Sequence, residues 1–523
     1  MKPNYLYAIL ISLIAALGGF LLGFDSAVIS GATPYYKVTF GLDTGSWLIG
    51  LSVSSIILGS IGGNLIAGPL ADRYGRKKVL LITAFLFACC ALGTALAHNI
   101  VFFIAARIVG GVGVGMAILV APMYIAEIAP RKWRGTLVTL NQLNIVLGIF
   151  VAYFSNYFIQ RTVSDTDLSW RWMLGVGLVP AGLYFLFLFF VPRSPRWLIR
   201  KKFDEEALKV LIKINGKHHA DSVFKEIRTS LEAECKNEKG SLAELFSRKM
   251  KWVLLIGLGI AFFQQITGIN AIFYYAPMIF EMAGDGKDTA FMQAIILGLT
   301  NVVMTVIAMF LIDRLGRKPL LIIGSVGIFI SLSIVGVSFI TAHYSLTEYN
   351  LSGIVSELQK SGKSDDCVEL TELLEPMLGK TYKKETIFFD EVRNTIGKDF
   401  YNSYKEVIIK NCITINSVGV LIGLILFVAS FAISLGPVMW TLFSEIFPNK
   451  LRGLAISLAG FWNSIVSFSI ATVFPLELEY LGSGATYLIY AVFGFLTLLF
   501  VAYFIPETKG KSLEEIEKQL VRK

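Results

Sequence analysis

The chain has 523 residues, 55% of them hydrophobic and 16% charged. Soluble domains carry about 25% charged residues, so composition excludes an ordinary soluble protein. The net charge of +9 does not point to nucleic acid either: the basic residues are not interleaved with aromatics but fall in short clusters between apolar runs.

In chain order, the opening run "MKPNYLYAILISLIAALGGFLLGF" is too long for a cleaved signal peptide and lacks its small-residue cleavage site. It reads as a retained first span. Apolar stretches of membrane-crossing length lie near 6–30, 46–70, 77–97, 100–127, 136–159 and 171–191. A polar segment of helical composition, 195–250, follows; six more stretches lie near 252–280, 289–312, 318–341, 413–443, 452–475 and 484–505. The clusters "DRYGRKK", "RKWR", "PRSPRWLIRKK", "DRLGRK" and "NKLR" follow the second, fourth, sixth, eighth and tenth runs. Lys and Arg concentrate in cytoplasmic loops, which predicts both termini on that side.

The chain also repeats itself. "GPLADRYGRKK" returns as "MFLIDRLGRKP", "YIAEIAPRKWRG" as "LFSEIFPNKLRG", and "VPRSPRWL" loosely as "IPETKGKSL". Asp72 and Asp313 are 241 positions apart but Glu127 and Glu445 are 318 apart, so 77 extra residues lie between the eighth and eleventh spans. The polar stretch 342–412 accounts for them, and the charge rule places it outside. The expectation is an all-α membrane protein of twelve helices: a six-helix bundle over 1–194, cytoplasmic linker helices over 195–250, a second bundle over 251–505 carrying the insertion, and a tail over 506–523. In an oxidising exterior Cys367 and Cys412 of the insertion could be bonded or remain two free thiols. Cys89 and Cys90, adjacent in an apolar run, read as packing residues.

Two repeated six-span halves are the architecture of a secondary transporter, with substrate held near the midplane. "DRYGRKK", "PMYIAEIAPRKWRG", "VPRSPRWL", "QQITGINAIFYYAP", "DRLGRKP", "GPVMWTLFSEIFPNKLRG" and "PETKG" together resemble the sugar porter family of the major facilitator superfamily. Within it the chain is most similar to bacterial proton-coupled xylose and hexose symporters. The resemblance covers everything except 342–412.

Asp72, Arg73 and Arg76 fall at a helix end, beside Glu127 and Arg134; Asp313, Arg314, Arg317, Glu445 and Arg452 repeat the set. An orientation signal needs no acids, so the mixed charge favours a cytoplasmic gate of ion pairs, and the resemblance implies such a network. Inside the spans, Asp25 interrupts an apolar run. A carboxylate at membrane depth is costly, so it either caps a helix at an interface or has a partner and a task. Arg107, the other intramembrane charge of the first half, is the economical partner. An adjacent guanidinium favours the ionised carboxylate and separation favours the protonated one, so a cycle that changes their distance binds and releases a proton. The resemblance implies the same role, since proton-coupled members carry Asp at this position. Asp25 with Arg107 is therefore the expected proton-coupling site.

Sugars present hydroxyls and a weakly apolar ring face, which suits amides and an aromatic plate. Gln142, Gln264, Gln265, Asn270, Asn301 and Trp440 stand at positions that the resemblance assigns to sugar. Gln264 and Asn270 do not share a helical stripe, and Gly268 between them permits unwinding. Tyr274 and Tyr275 are either outer-gate aromatics or packing residues. In "GFWNSIV" the amide role passes to Asn463, with Trp462 on its other side. Leu22 and Ile149 replace an aromatic and an amide of the xylose type, which leaves xylose, glucose, galactose, arabinose and inositol open.

The expected activity is import of a monosaccharide with a proton, by a monomer in the plasma (inner) membrane. The partners are sugar, proton and lipid bilayer, with no cofactor, metal or nucleic acid. The alternatives are a passive uniporter in which Asp25 is structural, and a membrane sugar sensor, which the short tail argues against. No catalytic dyad or phosphate-binding loop appears in the spans, which argues against an enzyme.

Overall fold

The computed structural model describes residues 5–520 apart from 43–45, 131–132, 237–240, 361–363, 449 and 512. Among the described residues, twelve helical segments are long and apolar enough to cross a membrane. The first six spans are α1 (Tyr5–Thr39), α2 (Trp47–Tyr74), α3 (Arg76–Ala95), α4 (Ile100–Ile128), α5 (Arg134–Thr162), and a sixth broken into α6 (Thr166–Gly175) and α7 (Leu178–Leu188). Polar residues set several starts: Ser46, Asn99 and Asp165 each accept a hydrogen bond from a first-turn backbone N–H, which satisfies a donor the helix itself cannot. Four short polar helices follow: α8 (Pro195–Arg200), α9 (Asp204–Asn215), α10 (Lys217–Lys236) and α11 (Leu242–Leu245).

The seventh span is α12 (Lys251–Ile266) plus α13 (Ile269–Met282), followed by α14 (Lys287–Leu315) and α15 (Arg317–Ile340). The insertion contains β1 (His343–Ser345), α16 (Glu348–Lys360), α17 (Ser364–Leu374), β2 (Thr381–Tyr382), α18 (Glu385–Cys412) and β3 (Ile413–Thr414). The tenth span is α19 (Ser417–Ile433) plus α20 (Leu435–Ile446); α21 (Arg452–Leu481), α22 (Ser483–Phe504) and a short α23 (Leu513–Leu520) complete the chain. The three strands form a small antiparallel sheet with β1 in the middle. Strand pairing across such short segments leaves no alternating pattern in the sequence; this small ladder is an addition to an otherwise helical chain, as expected.

An even number of spans puts both termini and the linker on one face and the insertion on the other. The α2–α4 crossing is held at backbone distance by Gly59, Gly63, Gly111 and Gly115. A Cβ on Gly111 would lie 2.2 Å from the Ile56 carbonyl oxygen. Small residues four apart allow this approach, which dispersion rewards inside a bilayer.

The insertion has its own apolar cluster, including Tyr344, Leu374, Phe388, Val392 and Ile408. It is docked onto the last spans. The Glu385 carboxylate accepts from the backbone N–H (2.8 Å) and hydroxyl (3.1 Å) of Ser483 at the start of α22, and Glu479 pairs with Arg393 and Lys405. Cys412 is a buried free thiol; the side chain of Cys367, its candidate partner, lies outside the described residues.

Candidate functional site

Asp25 lies midway along α1, and Arg107 projects from α4 with no exposure to solvent. Their side chains approach to 3.4 Å, and Arg107 Nη2 donates to the Val53 carbonyl of α2 at 3.2 Å. The close α2–α4 crossing brings that carbonyl within reach. Cys90 Sγ stands 3.9 Å from the other Asp25 oxygen. It fits only because α4 has glycine opposite: a Cβ on Gly110 would come within 2.4 Å of the sulfur. Cys90 is thus a neighbour of the carboxylate and not packing alone. The pair is sparsely supported, since Asp25 Oδ2, Arg107 Nε and Arg107 Nη1 are buried without a hydrogen-bond partner of good geometry.

The last six spans carry a different polar centre. Gly268 adopts φ +87° and separates α12 from α13, a backbone that glycine adopts readily. The unwinding expected there is present, and it turns Gln264, Gln265 and Asn270 into one group. Asn270 Nδ2 donates to Gln265 Oε1 at 2.9 Å and to Ser467 Oγ at 2.6 Å. Gln265 Nε2 donates to Gln264 Oε1 and Asn463 Oδ1, both at 3.1 Å. Asn463 Nδ2 donates to Gln264 Oε1 at 2.8 Å and to the Ala261 carbonyl at 2.9 Å. Gln264 Nε2 reaches the Leu435 carbonyl at 3.0 Å, where the tenth span breaks.

Each amide has both donor and acceptor, so a sugar hydroxyl can replace any one of these bonds without leaving an unpaired buried group. Ser467, four residues after Asn463 and on the same helix face, is a member the sequence reading missed. Asn301 is buried on α14, Gln142 is half-buried on α5, and Trp440 on α20 is 41% exposed with its ring edge-on to Phe443. Trp462 is 37% exposed, unlike the buried Asn463 beside it in sequence. Tyr274 and Tyr275 are buried; the Tyr274 hydroxyl meets Ser26 beside Asp25, and Tyr275 Oη donates to the Ala471 carbonyl at 3.1 Å.

On the linker face, Arg76 bonds Glu127 at 2.9 Å and Asp72 at 3.3 Å, and Arg200 bonds Asp72 at 2.9 Å. The Ser194 hydroxyl donates to Glu127 at 2.5 Å. The repeat reproduces this: Arg317 bonds Glu445 at 2.8 Å, and Thr508 donates to Glu445 at 2.6 Å. Neither Ser194 nor Thr508 is among the expected gate residues, yet each bonds the gate acid of its half. Arg73 and Arg314 do not join: successive helical residues point about 100° apart, so both are exposed, with Arg73 over the Tyr74 ring. Arg452 donates to the Phe447 carbonyl. The side chains of Arg134 and Asp313 lie outside the described residues.

Apart from Arg200 of the linker, which joins Asp72, these linker-face pairs each lie within one half. The described polar contacts between halves sit toward the insertion face. Ser54 and Thr472 share a hydrogen bond of 2.7 Å, Tyr153 Oη donates to the Phe273 carbonyl at 2.7 Å, and Arg161 approaches Asp288 at 3.8 Å.

Two different polar centres, one in each half of a twelve-span parallel repeat, define a membrane transporter of the major facilitator fold. The family model for sugar (and other) transporters matches residues 11–355 and 401–520, and the chain belongs to that family. It is 38% identical to the arabinose-proton symporter of Bacillus subtilis, over 99% of this chain and 96% of that protein. It is 34% identical to the D-xylose-proton symporter of Escherichia coli, over 98% and 96%. The inward-open structure of the E. coli xylose transporter superposes with a TM-score of 0.75 at 31% identity, covering 98% of this chain and all of that one.

Proposed function

We propose that the protein imports a monosaccharide, a pentose or hexose such as D-xylose or D-glucose, together with a proton, by alternating access. The observation that carries this reading is the Asp25–Arg107 pair: a mostly buried titratable carboxylate at membrane depth whose fully buried cationic partner sits on another helix. The symporters named above match this chain over nearly their whole length, which supports both sugar and proton as cargo.

In this reading the bundles 1–194 and 251–505 move as two bodies, with the linker face cytoplasmic because the basic clusters fall on it. The protein acts as a monomer in the plasma membrane, with the insertion outside. Asp25 takes a proton when its pair with Arg107 loosens, and returns it when the pair re-forms. Gln142, Gln264, Gln265, Asn270, Asn301, Trp440 and Asn463 hold the sugar. Tyr274 and Tyr275 close over it, and the described contacts between halves near the insertion face support a release-ready state. Across the cycle the acids and bases of the two halves meet when the linker face closes.

The test is uptake of labelled xylose and glucose into liposomes with and without an inward proton gradient. Wild type is expected to accumulate sugar above equilibrium; in Asp25→Asn the accumulation ratio falls to about one while counterflow exchange survives. Equilibration without accumulation in both proteins makes this a passive uniporter with a structural Asp25.

A further inference from the structure

The repeat places two helices in the same situation on the linker face. α3 and α15 begin Gly75–Arg76–Lys77 and Gly316–Arg317–Lys318, each glycine at positive φ (+88° and +98°). In the second half the helix start is closed by an acid: the Glu507 carboxylate accepts from the backbone N–H groups of Arg317 (3.2 Å) and Lys318 (3.1 Å). The surroundings match across the repeat. Lys77 Nζ donates to the Phe189 carbonyl at 2.8 Å and Lys318 Nζ to that of Ala502 at 2.7 Å. Ser194 holds Glu127 as Thr508 holds Glu445. Pro192–Arg193–Ser194 therefore aligns with Pro506–Glu507–Thr508, and Arg193 stands where the second half has its capping acid.

The charge reversal removes the capping acid from the start of α3. Among the described residues no side chain accepts from the backbone N–H of Arg76 or Lys77. A cleft of about 190 Å³ lies there instead, lined by Arg76, Lys77, Lys78, Arg193, Phe189 and Trp197. Arg76 is 7% exposed, and its Nε is buried without a hydrogen-bond partner. Asp72 and Glu127 already engage the Nη atoms of Arg76. Glu206 reaches Arg193 at 3.4 Å, but both are 44% exposed and Glu206 does not line the cleft. The Trp197 ring packs against Gly75 and forms a wall.

We infer that this cleft binds a phosphate group, which takes the place that Glu507 occupies in the other half. Helix-start N–H groups, a guanidinium fork and two lysines match phosphate oxygens in charge and geometry. The repeat-related half shows the same two backbone donors already holding an anion. The phosphate comes either from a lipid headgroup, whose chains would run along exposed Phe189, or free from solution.

The experiment uses the full chain in neutral detergent, titrated with inorganic phosphate, phosphatidic acid and a matched diacylglycerol lacking phosphate. Lipid adducts are followed by native mass spectrometry and thermal midpoints are read in parallel. Saturable binding of phosphatidic acid but not diacylglycerol is expected, and a response to inorganic phosphate would identify the free ion as sufficient. Arg193→Glu supplies an internal carboxylate and is expected to weaken binding at least tenfold. Lys78→Ser weakens it less and carries the test if Arg193→Glu does not fold. Lys201→Glu, the same charge change outside the cleft, leaves binding intact. The proposal is overturned if no saturable binding occurs, if both cleft variants bind like wild type, or if Lys201→Glu loses as much as Arg193→Glu.

Discussion

The two halves are built on one repeated frame, yet their interiors solve different problems. The first half encloses a charge pair with three buried atoms left without good hydrogen bonds. The second encloses neutral amides that satisfy one another through Gln264, Gln265, Asn270 and Asn463. An under-satisfied pair in a low dielectric responds strongly to small displacements. A self-satisfied amide cluster can exchange one partner for a hydroxyl at little net cost. Duplication therefore preserves packing and loop chemistry while the polar centre of each half is free to specialise.

The comparison breaks most sharply if one charge is removed. Arg107→Leu strands Asp25 at membrane depth, and should cost about 3–5 kcal/mol, the size seen when one partner of a buried pair is lost. The accompanying loss of thermal stability should be partly reversed in the double variant with Asp25→Asn. Full stability in Arg107→Leu alone would show the pair to be incidental. A smaller effect is expected in the other half. Asn463→Ala removes partners of Gln264 and Gln265, costing about 1–3 kcal/mol; sugar binding by calorimetry should weaken about tenfold or more while proton-driven uptake, at saturating sugar, persists. Loss of coupling with unchanged affinity would contradict the division between halves.

Gly268→Ala tests what assembles the amides. A side chain there meets φ +87° and the Tyr490 ring at 2.9 Å, and left-handed backbone alone costs about 1–2 kcal/mol. Lower thermal stability and weaker sugar binding should appear together. The smallest effect concerns the insertion. Burial raises the Glu385 carboxyl above the usual carboxylate range against the opposing bonds from Ser483. A raised acid stabilises the docked form below its ordinary titration range and loses that contribution as pH rises through the raised value. After correction for intrinsic rates, hydrogen exchange over 385–412 should speed up across the mildly acidic range in wild type and stay flat in Glu385→Gln.

Hydropathy made the twelve spans legible because a bilayer demands long uninterrupted apolar helices. The repeat exposed the insertion by arithmetic on Asp72, Asp313, Glu127 and Glu445 alone. Asp25 and Arg107 stood out because charges at depth are rare, and their contact is what the structure places at 3.4 Å. Other features left weaker traces. Cys90 looks like any small core residue until Gly110 is set against it. Ser467 and Ser194 are short hydroxyls whose partners are distant in sequence. Arg73 and Arg314 resembled their neighbours in the motif, and only helical phase separates them from Arg76 and Arg317.

The antiparallel ladder that opens and closes the insertion pairs His343 with Thr414 and Tyr344 with Ile413. Its two ends therefore leave the membrane bundle side by side, and the family match lapses over 356–400, inside that ladder. Such a segment is a plug-in module. Closing the segment just inside the ladder is expected to keep the ends of α15 and α19 together, while giving up the Glu385–Ser483 and Glu479–Arg393 contacts with the last spans.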